Sequence, residues 1–162
     1  MRKTIIGVMG PGTTATAADC NTAYELGRLI AQQGWVLLTG GRNAGVMDAA
    51  NRGAQQENGI TVGILPTEDD HSLAAAVDIP ILTGMGSARN TINVLSSDVV
   101  IACGMGPGTA SEIALALKAN KNVILLNQSD VSQAFFRQLS TDRVFSADTP
   151  EVAIELVESL LS

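Results

Sequence analysis

Residues Asp98-Val-Val-Ile-Ala-Cys-Gly-Met-Gly-Pro-Gly-Thr-Ala-Ser-Glu112 run from an apolar, β-branched segment into a glycine-dense turn, and apolar residues 113–118 follow. This order predicts a buried strand, a tight loop and a helix. Glycines let a ligand approach the backbone, and a helix start offers N–H groups without acceptors. We expect Thr109 or Ser111 to cap the helix and Glu112 to lie in its first turn. The stretch predicts an anion site, although a glycine turn that only packs a helix on a strand has the same pattern.

Composition indicates a single, well-buried domain over residues 1–162. Apolar residues make up 46% of the chain, charged residues 16% and aromatic residues 3%, so aliphatic side chains must form most of the core. The formal net charge of -6 argues against nucleic acid and anionic membranes as partners, because both require a basic surface. We see no signal peptide and no membrane-spanning run, and Cys20 and Cys103 lack metal-site spacing. We therefore expect a cytoplasmic protein with free thiols.

Apolar strands alternate with helices along the whole chain. The patterns predict strands over residues 4–9, 35–39, 60–65, 77–82, 98–102, 122–126 and 143–146. They predict helices over residues 15–33, 46–58, 88–97, 113–118, 131–139 and 150–161, the last capped by Thr149. Such alternation is typical of an α/β fold, here a Rossmann-like three-layer αβα sandwich around a mainly parallel sheet of about seven strands. Pro80 predicts an edge position or an irregular point for the fourth strand.

Four strand-to-helix turns carry pairs or triplets of glycine, at residues 10–14, 40–45, 83–87 and 104–109. In a parallel sheet these turns open on one edge, where ligands bind at the carboxyl ends of the strands. Four turns on one edge favour a ligand cleft over simple packing. We predict that the ligand contacts Gly10, Pro11, Gly12, Thr13, Gly40, Gly41, Arg42, Gly45, Gly84, Ser87, Arg89, Gly104, Met105, Gly106, Pro107, Gly108 and Thr109.

The turns lack the usual nucleotide fingerprints. The first reads Gly7-Val-Met-Gly-Pro-Gly12, which does not have the G-x-G-x-x-G spacing, and no carboxylate ends the second strand. None of the four turns contains the lysine of an NTP-binding loop. We therefore expect neither NAD nor ATP as a cofactor.

A few chemically active side chains lie at or near these turns. Arg42 and Arg89 adjoin them, and each is either a phosphate contact, through its planar guanidinium group, or a surface charge. Glu112 is either a carboxylate stabilised by the helix dipole or an acid–base group that faces the cleft. His71, the only histidine, is interpreted as a solvated loop residue, and Cys103 as a buried thiol whose contact with a metal stays open. No metal site of the protein's own is predicted.

Three segments resemble the superfamily once mislabelled lysine decarboxylase, which includes the cytokinin-activating nucleoside-monophosphate phosphoribohydrolases: Gly40-Gly-Arg-Asn-Ala-Gly-Val-Met47, Ser87-Ala-Arg-Asn90 and Gly106-Pro-Gly-Thr-Ala-Ser-Glu112. The resemblance implies that Arg89 and Glu112 form a catalytic pair, while Gly106, Gly108 and Thr109 hold phosphate. The family pattern is P-G-G-x-G-T-x-x-E. Here Gly104 replaces its proline and Met105 its first glycine, which changes the shape of the cleft beside the phosphate loop.

A closer resemblance covers nearly the whole chain and is to the molybdenum cofactor carrier proteins of algae and cyanobacteria. It is carried by residues 5–12, 34–42, 78–81, 86–89 and 104–110. The shared Gly-Met-Gly-Pro-Gly-Thr form accounts for the departure at Gly104 and Met105. The resemblance implies a Rossmann-like homo-oligomer, a tetramer in the family, that stores or delivers a pterin-based cofactor. That cofactor ends in a phosphate and carries an anionic, oxygen-labile oxo-molybdenum group.

The leading interpretation is a non-catalytic carrier that binds, protects and delivers the molybdenum cofactor. The alternative is a phosphoribohydrolase that cleaves the N-glycosidic bond of a nucleoside 5′-monophosphate with Arg89 and Glu112. In both cases the ligand is anionic, a pterin or a nucleotide monophosphate. The apolar helices after residues 87 and 108 predict a homo-oligomer, dimer or tetramer, and the resemblance adds molybdenum enzymes as recipients of the cofactor.

Overall fold

The computed structural model describes residues 1–162. Its strands are β1 (Ile5–Met9), β2 (Val36–Thr39), β3 (Thr61–Leu65), β4 (Ile79–Leu82), β5 (Val99–Cys103), β6 (Asn122–Leu126) and β7 (Val144–Ala147). Its α-helices are α1 (Ala17–Gln32), α2 (Gly45–Gln56), α3 (Asn90–Ser96), α4 (Pro107–Lys118), α5 (Asp130–Leu139) and α6 (Pro150–Leu161). A 3-10 turn, Gly86–Arg89, leads directly into α3.

All seven strands are parallel and lie in the order β4-β3-β2-β1-β5-β6-β7. The predicted α/β fold is therefore confirmed. The chain starts in the middle of the sheet, builds outward to β4, and then crosses back to place β5 on the other side of β1. This reversal of strand order separates the turns that follow β1 and β5, and such a point is where open α/β sheets bind ligands. β4 is an edge strand, as Pro80 predicts.

Alternate residues of the strands pack against two different helical layers. Ile6, Val8 and Ile101 face α1, α2 and α6, while Met9 and Val100 face α3, α4 and α5. Both cores are mainly aliphatic, as the low aromatic content predicts, and Phe136 is the one aromatic residue among their buried members. A sheet that is covered on both faces leaves its carboxyl edge as the place where backbone groups can meet a ligand.

Glycine lets the backbones of α1 and α2 touch. A Cβ atom on Gly27 of α1 would overlap the carbonyl oxygen of Ala50, and one on Gly53 of α2 would overlap that of Tyr24. At the carboxyl edge, Gly45 has a φ of 52°, and a Cβ there would overlap the carbonyl oxygens of Pro11 and Gly12. The start of α2 is thus pressed against the β1–α1 turn. These contacts fix two of the glycine turns relative to each other.

The start of α4 differs from the sequence prediction. The helix begins at Pro107, with Gly106 as its N-cap and no capping side chain, so the prediction of Thr109 or Ser111 as cap was wrong. Glu112 consequently lies in the second turn and not the first. The physical reason is Pro107, because proline suits the first helical position, where its missing N–H group is not needed.

Candidate anion-binding cleft

A cleft of about 340 Å³ lies at the carboxyl edge of the sheet, where the strand order reverses. All four glycine turns contribute to its lining. The cleft brings together these predicted residues: Gly10, Pro11, Gly12, Gly40, Arg42, Ser87, Arg89, Gly106, Pro107, Gly108, Thr109 and Glu112.

The other predicted contacts do not line the cleft. Four of them are glycines with positive φ, namely Gly41, Gly45, Gly84 and Gly104 at 76°, 52°, 61° and 74°. Such glycines are needed for the backbone path of the turns, because other residues rarely adopt these angles. Thr13 is exposed outside the lining, and Met105 packs against the core under α3, α4 and α5.

The start of α4 carries several donors without acceptors. The backbone N–H groups of Gly106, Gly108 and Thr109 make no hydrogen bond within the protein, and Pro107 has no N–H group. The Thr109 side chain is only 2% exposed, and its Oγ1 has no partner. Buried polar groups are normally paired, so an unpaired hydroxyl beside an open helix start indicates a place where a ligand oxygen fits.

Arg89 brings a buried positive charge to the same cleft. Its Nη1 donates to Asn90 Oδ1 at 3.2 Å and lies 4.0 Å from Glu112 Oε1, while Nε has no partner. Burial lowers the pKa of Arg89, the Glu112 carboxylate opposes this, and the positive charge of Arg42 adds to the lowering. Guanidinium groups nevertheless keep their charge in proteins. The site therefore has a buried cation whose hydrogen-bonding capacity is only partly used.

Gly40 makes room for this guanidinium group. A Cβ atom on Gly40 would lie 2.8 Å from Arg89 Nη1 and 2.7 Å from Met47 Sδ. Asn90, which accepts from Arg89, donates through Nδ2 to Ser111 Oγ at 3.0 Å, and Ser111 donates to the Gly108 carbonyl at 2.7 Å. This relay ties the arginine to the first turn of α4.

Glu112 is a buried carboxyl group that lines the cleft. It is 6% exposed, and Asn93 Nδ2 donates to its Oε1 at 2.9 Å. Burial raises the pKa of Glu112 to about 7, although the Asn93 hydrogen bond and the Arg89 charge both act to lower it. Glu112 is therefore populated in both protonation states near neutral pH. It follows Thr109 by three residues, so both side chains lie on the same face of α4.

The remaining reactive side chains lie away from the cleft. Cys103 is fully buried under α1, where its Sγ donates to the Asp19 carbonyl at 3.5 Å, and burial raises the pKa of its thiol to about 12. His71 is exposed in the loop after β3. No group of three or more His, Cys, Asp or Glu side chains is arranged to hold a metal ion. None of the helices combines the length and apolar character needed to cross a membrane.

Some lining residues were not predicted from the sequence, namely Val8, Met9, Thr14, Met47, Pro66, Gly86 and Asn90. Asn93, the partner of Glu112, was also missed. Its spacing of four residues from Arg89 is a helical i, i+4 relation, which is a signal for a shared face. Val8 and Met9 lie at the carboxyl end of β1, where the strand order reverses. This position identifies them as cleft residues once the topology is known.

The parallel sheet, the reversed strand order and the donor-rich cleft together define a Rossmann-like α/β protein suited to an anionic ligand. The chain belongs to the SLOG cluster4 family, whose model matches residues 3–154.

Two solved structures and one further protein are similar to this chain over most or all of its length. The molybdenum cofactor binding protein from the phototrophic bacterium Rippkaea orientalis is 60% identical, with a TM-score of 0.99, and the match covers 100% of this chain and 99% of that one. The molybdenum cofactor carrier protein of Chlamydomonas reinhardtii is 50% identical, with a TM-score of 0.94 and 99% of both chains covered. A protein of Archaeoglobus fulgidus, described as uncharacterized, is 44% identical over 149 residues, which are 92% of this chain and 91% of that protein. The resemblance to molybdenum cofactor carrier proteins is confirmed.

Proposed function

We propose that this protein binds, protects and delivers the molybdenum cofactor, with the terminal phosphate at the start of α4 and the pterin in the rest of the cleft. The observation that carries the proposal is the convergence of unused donors. Three backbone N–H groups, the Thr109 hydroxyl and Arg89 Nε lack partners and belong to one cleft. They provide a locally positive site in a chain of net charge -6.

The size and lining of the cleft support a ligand of this kind. A volume of about 340 Å³ falls within the range of small-molecule sites, which is about 300–1,000 Å³. Because glycine has no side chain, the glycine turns leave room for a wide, flat pterin. The two solved relatives at 60% and 50% identity are themselves described as binding or carrying the molybdenum cofactor. We regard the cofactor as cargo, which the protein releases unchanged to recipient molybdenum enzymes in the cytoplasm.

The alternative function is hydrolysis of a nucleoside 5′-monophosphate. Arg89 and Glu112 do lie together in the cleft, as that function requires, with 4.0 Å between Nη1 and Oε1. The same pair serves a carrier equally well, because a buried arginine and a titratable carboxyl group can bind an anion without breaking a bond. The carrier and binding functions of the two solved relatives favour the carrier over the hydrolase.

We also propose that the carrier is a homo-oligomer. A groove between α3 and α4 is lined by Thr91, Val94, Leu95, Leu115, Lys118 and Ala119. Four of these six side chains are apolar, and Leu95 among them is 55% exposed. A second copy of this chain, which presents the same groove, would cover these side chains in an isologous contact. Light scattering, which measures the mass of the assembly, distinguishes a dimer from a tetramer.

Cofactor protection under anaerobic conditions tests the proposed function. The protein is incubated with the isolated cofactor and passed through a gel-filtration column, and the surviving cofactor in the protein fraction is quantified. The variants are Arg42→Ala and Arg89→Gln, and Arg52→Ala is the matched control. Arg52 is exposed on α2, pairs with Asp48 and does not line the cleft, so its loss should leave binding unchanged.

We expect the wild-type protein and Arg52→Ala to retain the cofactor, and Arg42→Ala and Arg89→Gln to lose it. Arg42 is exposed, so its replacement also guards against an effect on folding. Cofactor that decays as fast with wild-type protein as in buffer would contradict storage. Release of free base from AMP, abolished by Glu112→Gln, would establish the hydrolase instead.

A further inference from the structure

We infer that the start of α4 is a subsite for a tetrahedral dianion, and that Glu112 carries a proton when the dianion is bound. The inference deepens the proposed function and rests on it, because the same subsite would hold the cofactor's phosphate. It adds a ligand class, free inorganic oxyanions, and couples their binding to proton uptake.

The ligand class follows from the type and number of donors. The amide N–H groups of Gly106, Gly108 and Thr109 point out of an uncapped helix start. Two side-chain donors, Thr109 Oγ1 and Arg89 Nε, are unpartnered, and both residues are more than nine-tenths buried. A tetrahedral oxyanion presents several strong acceptors to such a set, whereas a planar carboxylate offers fewer. The donors therefore suit a phosphate or sulfate group in particular.

The coupling follows from the charges that surround Glu112. Arg89, from the 3-10 turn, places its Nη1 4.0 Å from Glu112 Oε1, and Asn93, from α3, contributes a neutral amide that donates to the same oxygen. Arg42, from the β2–α2 turn, acts on Arg89. The strands under α4 supply apolar side chains such as Val100 and Val123. An ionised Glu112 beside a dianion would leave three negative charges against the two cleft arginines, the buried Arg89 and the exposed Arg42, and a partial positive charge of about half a unit at the helix start.

Protonation of Glu112 resolves this imbalance. It removes one negative charge from the cleft and gives the carboxyl group an O–H donor. The cost is small, because burial already raises the pKa of Glu112 to about 7 in the free protein. A bound dianion raises this pKa further, since a nearby negative charge disfavours the ionised form. By linkage, anion binding then takes up a proton wherever free Glu112 is ionised.

Titration with inorganic sulfate tests the coupling, because sulfate stays doubly charged across the neutral range. The amide resonances of Gly106, Gly108 and Thr109 are followed by NMR at constant ionic strength, from about pH 6 to about pH 9, a range that spans the expected titration. We expect these amides to shift together. The association constant should be level at the acidic end and should fall about tenfold per pH unit once Glu112 is ionised in the free protein.

Glu112→Gln should remove the pH dependence, because glutamine keeps an amide donor and never carries the charge. Glu158→Gln, at an exposed carboxylate of α6, is the matched control and should keep the wild-type profile. A measurement on the wild-type protein alone gives a second test. In weakly buffered solution above the titration midpoint, sulfate should cause uptake of about one proton per site.

The outcomes separate this inference from the proposed function. A wild-type affinity for sulfate that does not change with pH overturns the coupling, as does a Glu112→Gln variant that keeps the tenfold slope. If the protein retains the molybdenum cofactor but sulfate shifts none of the three amides, the dianion subsite is wrong and the carrier function stands. If neither sulfate nor the cofactor binds, the proposed function itself fails.

Discussion

Replacement of Thr109 by valine is expected to stabilise the protein while it weakens anion binding. The two side chains have nearly the same shape, so the change removes little more than the Oγ1 hydroxyl. That hydroxyl belongs to a side chain that is 2% exposed, and it has no partner in the protein. Thr and Val have similar helix propensities, so the helix itself should be unaffected.

The magnitude follows from the missing partner. An unsatisfied buried hydroxyl costs about 1–3 kcal/mol, so its removal should raise the free energy of unfolding by about 1 kcal/mol or more. For a protein of this size the melting temperature should rise by about 2–4 °C. In the complex, the same hydroxyl donates to a charged ligand, a hydrogen bond worth about 1.5–3 kcal/mol. Its loss should weaken sulfate binding by about tenfold or more.

Thermal unfolding in the absence of anions measures the change in stability. A sulfate titration of the same sample measures the change in binding. Thr61→Val is the matched control, because Thr61 is also fully buried but its Oγ1 donates to the Ala76 carbonyl at 2.8 Å and accepts from Asp78 N at 2.8 Å. Thr61→Val should therefore destabilise the fold. If Thr109→Val destabilises the protein as much as Thr61→Val does, the Thr109 hydroxyl is satisfied in the free protein and the reasoning about this subsite is refuted.

The pH dependence of stability should change in Glu112→Gln. The pKa of Glu112 is about 7 in the folded protein, against an ordinary value of 4.5 in the unfolded chain. Its contribution to the free energy of unfolding is therefore fully present below pH 4.5 and is lost as the pH rises through 7. This loss amounts to about 3 kcal/mol and should be absent in the variant when denaturant unfolding is compared at about pH 5 and about pH 8. Gly27→Ala should destabilise the fold by about 1–3 kcal/mol in the same assay, because its Cβ atom would overlap a backbone oxygen of α2. Gly108→Ala, whose Cβ atom would meet nothing within 4 Å, should not. Leu95→Glu should reduce the mass measured by light scattering. Val131→Glu, at a residue that is 79% exposed, is the control and should leave the mass unchanged. An unaltered mass in Leu95→Glu would exclude the α3–α4 groove as the subunit contact.

The elements that follow from apolar patterning agree well between sequence and structure. β6 has the predicted bounds, Asn122–Leu126, and α6 runs over Pro150–Leu161 with Thr149 as its cap. These segments have clear ends, because polar or turn-forming residues flank an apolar run. The start of α4 has no such mark, since glycine and proline between residues 104 and 108 suit either a loop or a first helical turn. Only the packed structure places Pro107 at the first helical position.

The site was predicted less completely than the fold, and the reason lies in its glycines. A sequence does not distinguish Gly40, which makes room for a guanidinium group, from Gly41, which has a φ of 76° and shapes the turn. Arg89 was found because it adjoins a glycine turn. The burial that sets the protonation of Glu112 depends on Asn93 and on apolar packing from distant segments. Properties of this kind arise only when α3 and α4 come together.

The helices that begin at the cleft differ from the others in how their N-termini are capped. Thr16, Ser129 and Thr149 cap α1, α5 and α6 through their side chains, whereas α2 and α4 begin at Ala44 and Gly106 without any side-chain cap. The backbone does not forbid a cap on α2, because Ala44 has φ −145° and ψ 139°, close to the −136° and 159° of Thr149. A missing cap costs about 1 kcal/mol. Helix α3 also lacks a side-chain cap, because it continues directly from the 3-10 turn Gly86–Arg89. Each of the three uncapped helices has a first-turn residue that lines the cleft, Met47, Asn90 or Gly108, so this loss of stability is confined to the place where a ligand can supply the acceptors.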